Sequence, residues 1–387
     1  MLLRSLVLAT TALVSAIALT ACGGGGQSEA TPPASLQQSA DRAVSQGLAA
    51  IVIQHLDAND TTQARAGLRQ VGSAVSLQPG DAFMIGSTTK AMTSALAGRL
   101  VERGVIAWTT TVAEALPDLA ASMQPAYRTV TLEQLLSHRG GVLAFTTGED
   151  IARFQAFLGT SATELPTTRA GRERFFAAWL LAQTPAARPG QDLLYSNAGY
   201  SLAALMLEVR TGLPFAELFQ QELAQPLGLQ VSWTSADASF TNRPVGHSGA
   251  KGRLTAITAE DPEVSRWLDV LSPAGLGTTT TPESYAAWVR WHLRALHGET
   301  TPLAAGYLQR IKALKTGDYG LGWLAADLDS SAVLLHDGEW RGFTSVLVVD
   351  AQGRSATFGF TNTEDTSWAT PLLNQAVLDT ERAMPPK

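Results

Sequence analysis

Ser87-Thr88-Thr89-Lys90 places a hydroxyl and an amine three residues apart at the point where a helical apolar pattern begins. Positions i and i+3 of a helix share a face, so the two groups can exchange a proton. A serine hydroxyl is a weak nucleophile until a base removes its proton, and a crowded lysine loses enough charge to help. The start of a helix adds backbone N–H groups and positive potential, which an oxyanion growing beside the serine requires. The S-x-x-K pattern occurs once more, in Ser248-Gly249-Ala250-Lys251. That stretch is glycine-rich, follows Arg243-Pro244 and lacks helical periodicity, so it reads as a surface loop with nothing to hold its pair in register. Tyr195-Ser196-Asn197 is the only Y-x-N of the chain, between the turn Arg188-Pro189-Gly190 and a helix from Gly199. A phenol beside an ammonium group loses its proton at reduced cost, and can act as general base toward the serine and as acid toward a leaving group. The Asn197 amide can orient the lysine and a substrate carbonyl.

Such groups need a frame. Residues 48–56 form a β-rich run, 63–75 and 82–86 can supply further strands, and residues 88–103 carry Met92, Ala95, Leu96, Leu100 and Val101 at helical spacing. Between about 105 and 270 the pattern is mostly helical, over 132–137, 172–182, 199–211 and 215–223, with Pro and Gly between. A helix at 282–296 and a helical stretch at 303–314 follow, then strands at 319–324, 332–336, 343–349 and 356–360 and a last helix at 372–384. Strands at both ends of the chain predict an α/β fold of the α+β type: an antiparallel sheet flanked by helices, from 36–104 and 271–387, with a mostly helical domain, 105–270, inserted.

Composition narrows the chemistry. With 28 Lys plus Arg against 34 Asp plus Glu the net charge is -6, so nucleic acid is not an expected partner. One cysteine, Cys22, allows no intrachain disulfide and no thiolate cluster for a metal. His292 and His297, five apart, do not share a helix face as metal ligands would, His138 reads as the end of a helix before Gly140, and Trp288 and Trp291 read as core. No G-x-S-x-G is present, which argues against an α/β-hydrolase.

The order S-T-T-K, then Y-S-N about a hundred residues later, then a strand-borne third box resembles the serine β-lactamase and penicillin-recognition superfamily, specifically its class C β-lactamase-like branch. Leu135-Leu136-Ser137-His138-Arg139-Gly140-Gly141, the run from Tyr195 to Gly228, Tyr319-Gly320-Leu321-Gly322-Trp323 and the closing Thr361-Asn362 carry the same likeness, from about residue 40 to 380. The resemblance implies acyl transfer between sheet and helical domain without a cofactor, with Ser87 as nucleophile, Lys90 as its proton partner, Tyr195 as general base and Asn197 as a positioning group. For the third box, Lys315-Thr316-Gly317 spells the superfamily's K-T-G, yet it reads as a helix C-terminus with Gly317 as stop. The chemistry needs a sheet-edge strand whose N–H completes an oxyanion hole. The run 332–338 fits, and His-x-Gly replaces Lys-Thr-Gly in many esterase and D-aminopeptidase relatives. The role therefore falls to His336 and Gly338, with the N–H of Glu339 as oxyanion donor. An unperturbed histidine is mostly neutral above about pH 7, so attraction for substrate carboxylates is expected to be weak and to rise as pH falls through the His336 titration.

Arg4 precedes a small and apolar run, residues 5–19, too short to span a membrane, which reads as a signal peptide over 1–21. Leu19-Thr20-Ala21-Cys22 resembles a bacterial lipobox, making Cys22 the lipidated first residue, and 22–35 has the composition of a tether. Cleavage near Ala21 with an incidental cysteine is the alternative. The expected location is the bacterial cell envelope, exported and held to the membrane through lipid on Cys22. The function expected is a serine hydrolase acting on a small-molecule ester or amide. A β-lactamase or D-amino peptidase acting on β-lactams or short peptidoglycan peptides is the second reading, and a non-catalytic cell-wall-binding lipoprotein the third.

Overall fold

The computed structural model describes residues 36–146, 148–160, 166–233, 243–257, 270 and 274–384. Its centre is a seven-stranded antiparallel sheet, in the order β2-β1-β12-β11-β10-β9-β8. The strands are β1 (Ala50–Leu56), β2 (Thr61–Gly67), β8 (Tyr319–Gly320), β9 (Trp323–Leu328), β10 (Ser331–Trp340), β11 (Phe343–Asp350) and β12 (Ala356–Thr361). Two three-stranded sheets complete the set, β3 (Phe83–Met84) with β7 (Thr279–Thr280) and β4 (Val231–Ser232), and β13 (Thr363–Glu364) with β5 (His247–Ser248) and β6 (Thr255–Ala256).

Side chains alternate across the main sheet, as a strand's period of two demands. Ile51, Ile53, Val333, Val346 and Val348 face one layer, formed by the helices Leu36–Ser45 and Ala369–Ala383. Val52, Leu334, Leu347, Val349, Phe358 and Phe360 belong to the opposite core, with the helices Thr89–Glu102 and Pro282–Leu296. Tyr285 of the latter sets its ring 5.0 Å from Phe358 and 5.1 Å from Phe360, edge-on, as aromatic pairs prefer. The middle of the chain supplies helices Leu132–Leu136, Gly148–Thr160, Arg169–Ala182 and Asn197–Thr211. Thr131 and Gln134 close a capping box at the first of these, which fixes where the segment leading to His138 begins.

Two features bring Ser87 to the sheet. β9 pairs with β10 only along Ser331–Leu335, so residues 336–340 form an open edge on that side. The turn carrying Ser87 lies against this edge in backbone contact: a Cβ on Gly338 would fall 2.3 Å from the Ile85 carbonyl oxygen and 2.5 Å from the Ser87 nitrogen, and one on Gly86 would fall 2.5 Å from the Glu339 nitrogen. No side chain fits at either glycine.

The expected α/β fold, an antiparallel sheet flanked by helices, is present, with differences in detail. The run 319–324 is two strands, because Leu321 and Gly322 both take positive φ and turn the chain. β10 continues through Trp340 and joins β11 by the two-residue turn Arg341-Gly342, both at positive φ, the hairpin geometry that matches strand twist. The helices Gly148–Thr160 and Leu36–Ser45 lie outside the individual elements expected. Ser248, expected in a surface loop, pairs in β5.

Gly322 separates local strain from close packing. A Cβ there would meet Ala91 N of the helix Thr89–Glu102 at 2.4 Å, whereas Gly317, also at positive φ, has open space. Gly317→Ala is expected to cost about 1–2 kcal/mol, the strain of left-handed backbone alone. Gly322→Ala must displace a helix and should cost clearly more; urea midpoints of the two variants measure the difference.

Candidate active site

Ser87 sits in the single turn Gly86–Thr88 that leads from β3 into the helix Thr89–Glu102, with Gly86 at φ 51°. Lys90 lies on the first turn of that helix and is wholly buried. Its Nζ is 3.0 Å from Ser87 Oγ, 2.8 Å from Asn197 Oδ1 and 3.0 Å from the Gly275 carbonyl oxygen. Burial pushes the Lys90 ammonium well below its usual range, with the field of Asp337 opposing. The geometry suits a neutral amine. Two N–H bonds serve the two carbonyl-type oxygens, and the lone pair is left for the Ser87 hydroxyl proton.

The Y-S-N segment divides its work. Ser196 caps the helix Asn197–Thr211, accepting from Gly199 N–H at 2.9 Å and donating to the Leu143 carbonyl at 2.7 Å. Asn197 donates through Nδ2 to the Phe145 carbonyl at 2.9 Å, which turns its oxygen toward Lys90. Lys90 Nζ lies 4.8 Å from the centre of the Tyr195 ring. The Tyr195 hydroxyl is buried without a hydrogen bond of standard geometry, although it is close enough to Ser87 for that hydroxyl to ease its ionisation slightly. Burial dominates and drives the phenol well above its usual range. Burial thus favours the protonated phenol, and the fields of Asp337 and Tyr200 add to the rise.

His138 is the functional residue that reading by residue type passed over. It follows the helix Leu132–Leu136 at φ 55°. Its carbonyl accepts from Leu194 N–H at 2.8 Å, its Nδ1 accepts from Ser196 N–H at 3.1 Å, and its ring centre is 4.0 Å from that of Tyr195. Both chain neighbours of Tyr195 are therefore tied to the residue on which its ring rests. Burial and the fields of Lys90 and His336 keep His138 neutral. The signal in the sequence was its place in the run 135–141.

His336 is also buried. Its Nδ1–H donates to the Asp337 carbonyl, so Nε2 accepts from Tyr319 O–H at 2.9 Å. Burial and Lys90 hold it down to about 3. The expected His336 titration near neutrality is overturned: the ring cannot attract a carboxylate at ordinary pH. Gly338 and Glu339 supply backbone beside Ser87. The Glu339 carboxyl points away, to the C-terminal helix, where one oxygen accepts from Thr370; burial raises it to about 8. Lys315, Thr316 and Gly317 are exposed in the turn after the helix Ala305–Lys312, where Lys315 N–H donates to Asp318 at 3.0 Å and Thr316 to Asp327 at 3.0 Å. His292 is core, with Nε2 3.0 Å from Tyr307. Cys22 lies outside the described residues, and among those described no His, Cys, Asp and Glu group has the makings of a metal site.

A serine hydroxyl, a buried amine and a phenol thus meet at this sheet edge. The chain matches the Beta-lactamase family over residues 35–382 and belongs to that family, whose members are serine hydrolases. Penicillin-binding protein 4 of Amycolatopsis lactamdurans is 27% identical over 341 residues, 82% of this chain and 81% of that protein. An unguisins hydrolase of Aspergillus violaceofuscus is 30% identical over 250 residues, 62% of this chain but only 41% of that protein. The D-amino acid amidase of Ochrobactrum anthropi superposes with a TM-score of 0.70 at 19% identity, over 90% of this chain and 96% of that one.

His138→Phe keeps an aromatic ring but strands the Ser196 N–H, at a cost of about 1–3 kcal/mol. His138→Asn keeps an acceptor and tolerates positive φ, but removes the ring under Tyr195. Both should slow labelling of Ser87 by a fluorophosphonate, the first with a lowered urea midpoint and the second with a smaller loss of stability. Lys315→Ala should change neither quantity.

Proposed function

We propose that this protein is a class C β-lactamase-like serine hydrolase that forms an acyl-enzyme on Ser87 and hydrolyses small esters or amides. The observation that carries the reading is the buried Lys90 amine, with two oxygens for its N–H bonds and Ser87 Oγ at 3.0 Å for its lone pair. As Ser87 Oγ attacks the substrate carbonyl, its proton passes to Lys90. The carbonyl oxygen gains charge between the N–H groups of Ser87 and Glu339. Tyr195, which holds its proton, gives it to the leaving alcohol or amine and is reprotonated from Lys90. Water then attacks the acyl-enzyme along the reverse path and releases the acid and free Ser87. Esters and amides without a carboxylate are favoured because His336, at the third-box position, is neutral. The second reading, action on β-lactams or short peptides, draws on the similarity to a penicillin-binding protein and on the shared fold with a D-amino acid amidase.

A fluorophosphonate should label Ser87 alone, and Ser87→Ala should abolish labelling and turnover of a neutral p-nitrophenyl ester while Ser248→Ala leaves both intact. An adduct on another serine would overturn the assignment. Lys90→Ala should lower kcat by about a hundredfold or more. Since the working form of Lys90 is unprotonated, wild-type kcat/KM should rise with pH through the lysine titration, and that limb should vanish in Lys90→Ala.

We further propose that Cys22 carries lipid and holds the enzyme in the cell envelope, on the strength of the lipobox-like Leu19-Thr20-Ala21-Cys22. Expressed with its own N-terminus, the protein should partition into detergent and Cys22→Ser should not; equal partition of the two would refute the anchor.

A further inference from the structure

The helix Arg169–Ala182 carries all its charges at its start, up to Arg174, and from Phe175 to Ala182 it has no polar side chain. A helix apolar on every side belongs inside a protein. Here only one side is covered. Phe176, Ala177, Leu180 and Leu181 are buried in the core, whereas Phe175 and Ala178 are half-buried and Ala182 is exposed. With Trp179 these last three follow the spacing i, i+3, i+4 and i+7, a single stripe along the helix.

The helix Gly148–Thr160 supplies the facing wall through Arg153 and Phe157, one turn apart. Between the two helices lies an open groove of about 510 Å³, with Ala182 and Gln183 at one end. That volume falls within the range of small-molecule pockets. Phe154 packs on Trp179 with ring centres 4.7 Å apart, and Phe157 on Phe175 at 5.9 Å, so the helices run antiparallel. The groove therefore has an apolar end at Phe157 and Phe175 and a cationic end at Arg153. Phe175 and Ala182 are seven residues apart, about 10 Å of helix, the length of a medium alkyl chain.

Charge at the cationic end is unmatched. Arg169 pairs with Glu173 and Arg174 with Asp118, but Arg153 is exposed and makes no ion pair among the described residues. The field of Arg153 reaches Tyr127, whose buried hydroxyl has no hydrogen-bond partner. The segment before Tyr127 is tied to this end of the groove by Gln124, whose N–H and Nε2 donate to the Leu181 and Ala182 carbonyls at 2.8 and 3.0 Å. Phe145, whose carbonyl holds Asn197, packs against Phe176 at 5.0 Å and Trp179 at 5.9 Å, so an aromatic layer separates the groove from the Ser87 site.

We infer that this groove is a second ligand site, for a small amphiphile with an apolar tail and one carboxylate. The tail lies along Phe157, Phe175 and Trp179, and the carboxylate meets the planar fork of Arg153, which suits it better than a point charge would. A recessed wall with a single cation fits one anionic head rather than a membrane surface, which is gripped by clusters of basic residues. The site is independent of the acyl-transfer reading.

Calorimetric titration at neutral pH, below micelle formation, compares decanoate, decan-1-ol and decyltrimethylammonium. Decanoate should fill one saturable site about tenfold or more tighter than the alcohol or the ammonium, the margin of a charge-assisted contact. Arg153→Gln should bring decanoate to the level of the alcohol. Ala178→Trp fills the groove and should abolish binding of all three, with phosphonate labelling of Ser87 unchanged in both variants. Equal affinity for the three probes, no saturable binding of decanoate, or binding unaltered in Arg153→Gln would overturn the inference; that variant, at an exposed position, decides the question even where Ala178→Trp does not fold. Binding that disappears once Ser87 carries a phosphonate would place decanoate in the active site and refute the second site. Phosphatidylglycerol vesicles bound through Arg153 without binding of monomeric decanoate would assign the groove to a membrane, and equally refute it.

Discussion

The burial of one lysine governs this active site. Lys90 is wholly buried, and a full positive charge there would lack the solvation that makes it cheap. The structure answers with two carbonyl oxygens from distant parts of the chain, Asn197 and Gly275, which orient the amine without a carboxylate in contact to hold its proton. The same burial extends to its neighbours. It keeps the Tyr195 phenol protonated and the His336 and His138 rings neutral. A buried carboxylate salt-bridged to Lys90 would have reversed this logic, making the lysine a permanent cation and leaving the serine without a base.

The second constraint is steric. Gly86 and Gly338 bring two backbones together with no side chain between them, so that N–H groups from the nucleophile turn and from the sheet edge lie side by side. A dipole pair of this kind is useful only if it does not relax, and both partners are anchored: β10 is paired with β11 from Val333 to Trp340, and the Ser87 turn is held by Ser345, which donates to the Ile85 carbonyl at 2.6 Å. Preorganisation is thus supplied by the sheet rather than by a loop.

The sequence made the frame readable wherever a run of apolar residues was long enough to impose a period, as in β1 or the helix Thr89–Glu102. It was unreadable where tertiary contact decided. Leu321-Gly322 breaks a run that locally looks like a strand, because Gly322 must pass over the helix at Ala91. The chemistry-bearing boxes were legible from residue type and order, but their protonation states were not. Ser87, Lys90 and Tyr195 name the groups able to share a proton; only burial shows where the proton rests. His138 escaped for a related reason: a histidine after a helix looks ordinary until its carbonyl and its ring nitrogen are seen to bracket the tyrosine.

The pairing of β1 with β12 has a consequence for how the molecule is made. Ile51 faces Thr361, so the first strand of the main sheet waits for one of the last before its inner side is covered. Contacts of such sequence separation are slow to form, and a β1–β2 hairpin that emerges first exposes a row of unpaired N–H and C=O groups for as long as synthesis continues. The same closure brings the two ends of the fold together, with the helix Leu36–Ser45 packed beside the helix Ala369–Ala383 against one face of the sheet. Neighbouring ends are the property that lets a chain be cut elsewhere and rejoined, so the present order of segments is one of several in which this sheet can be threaded.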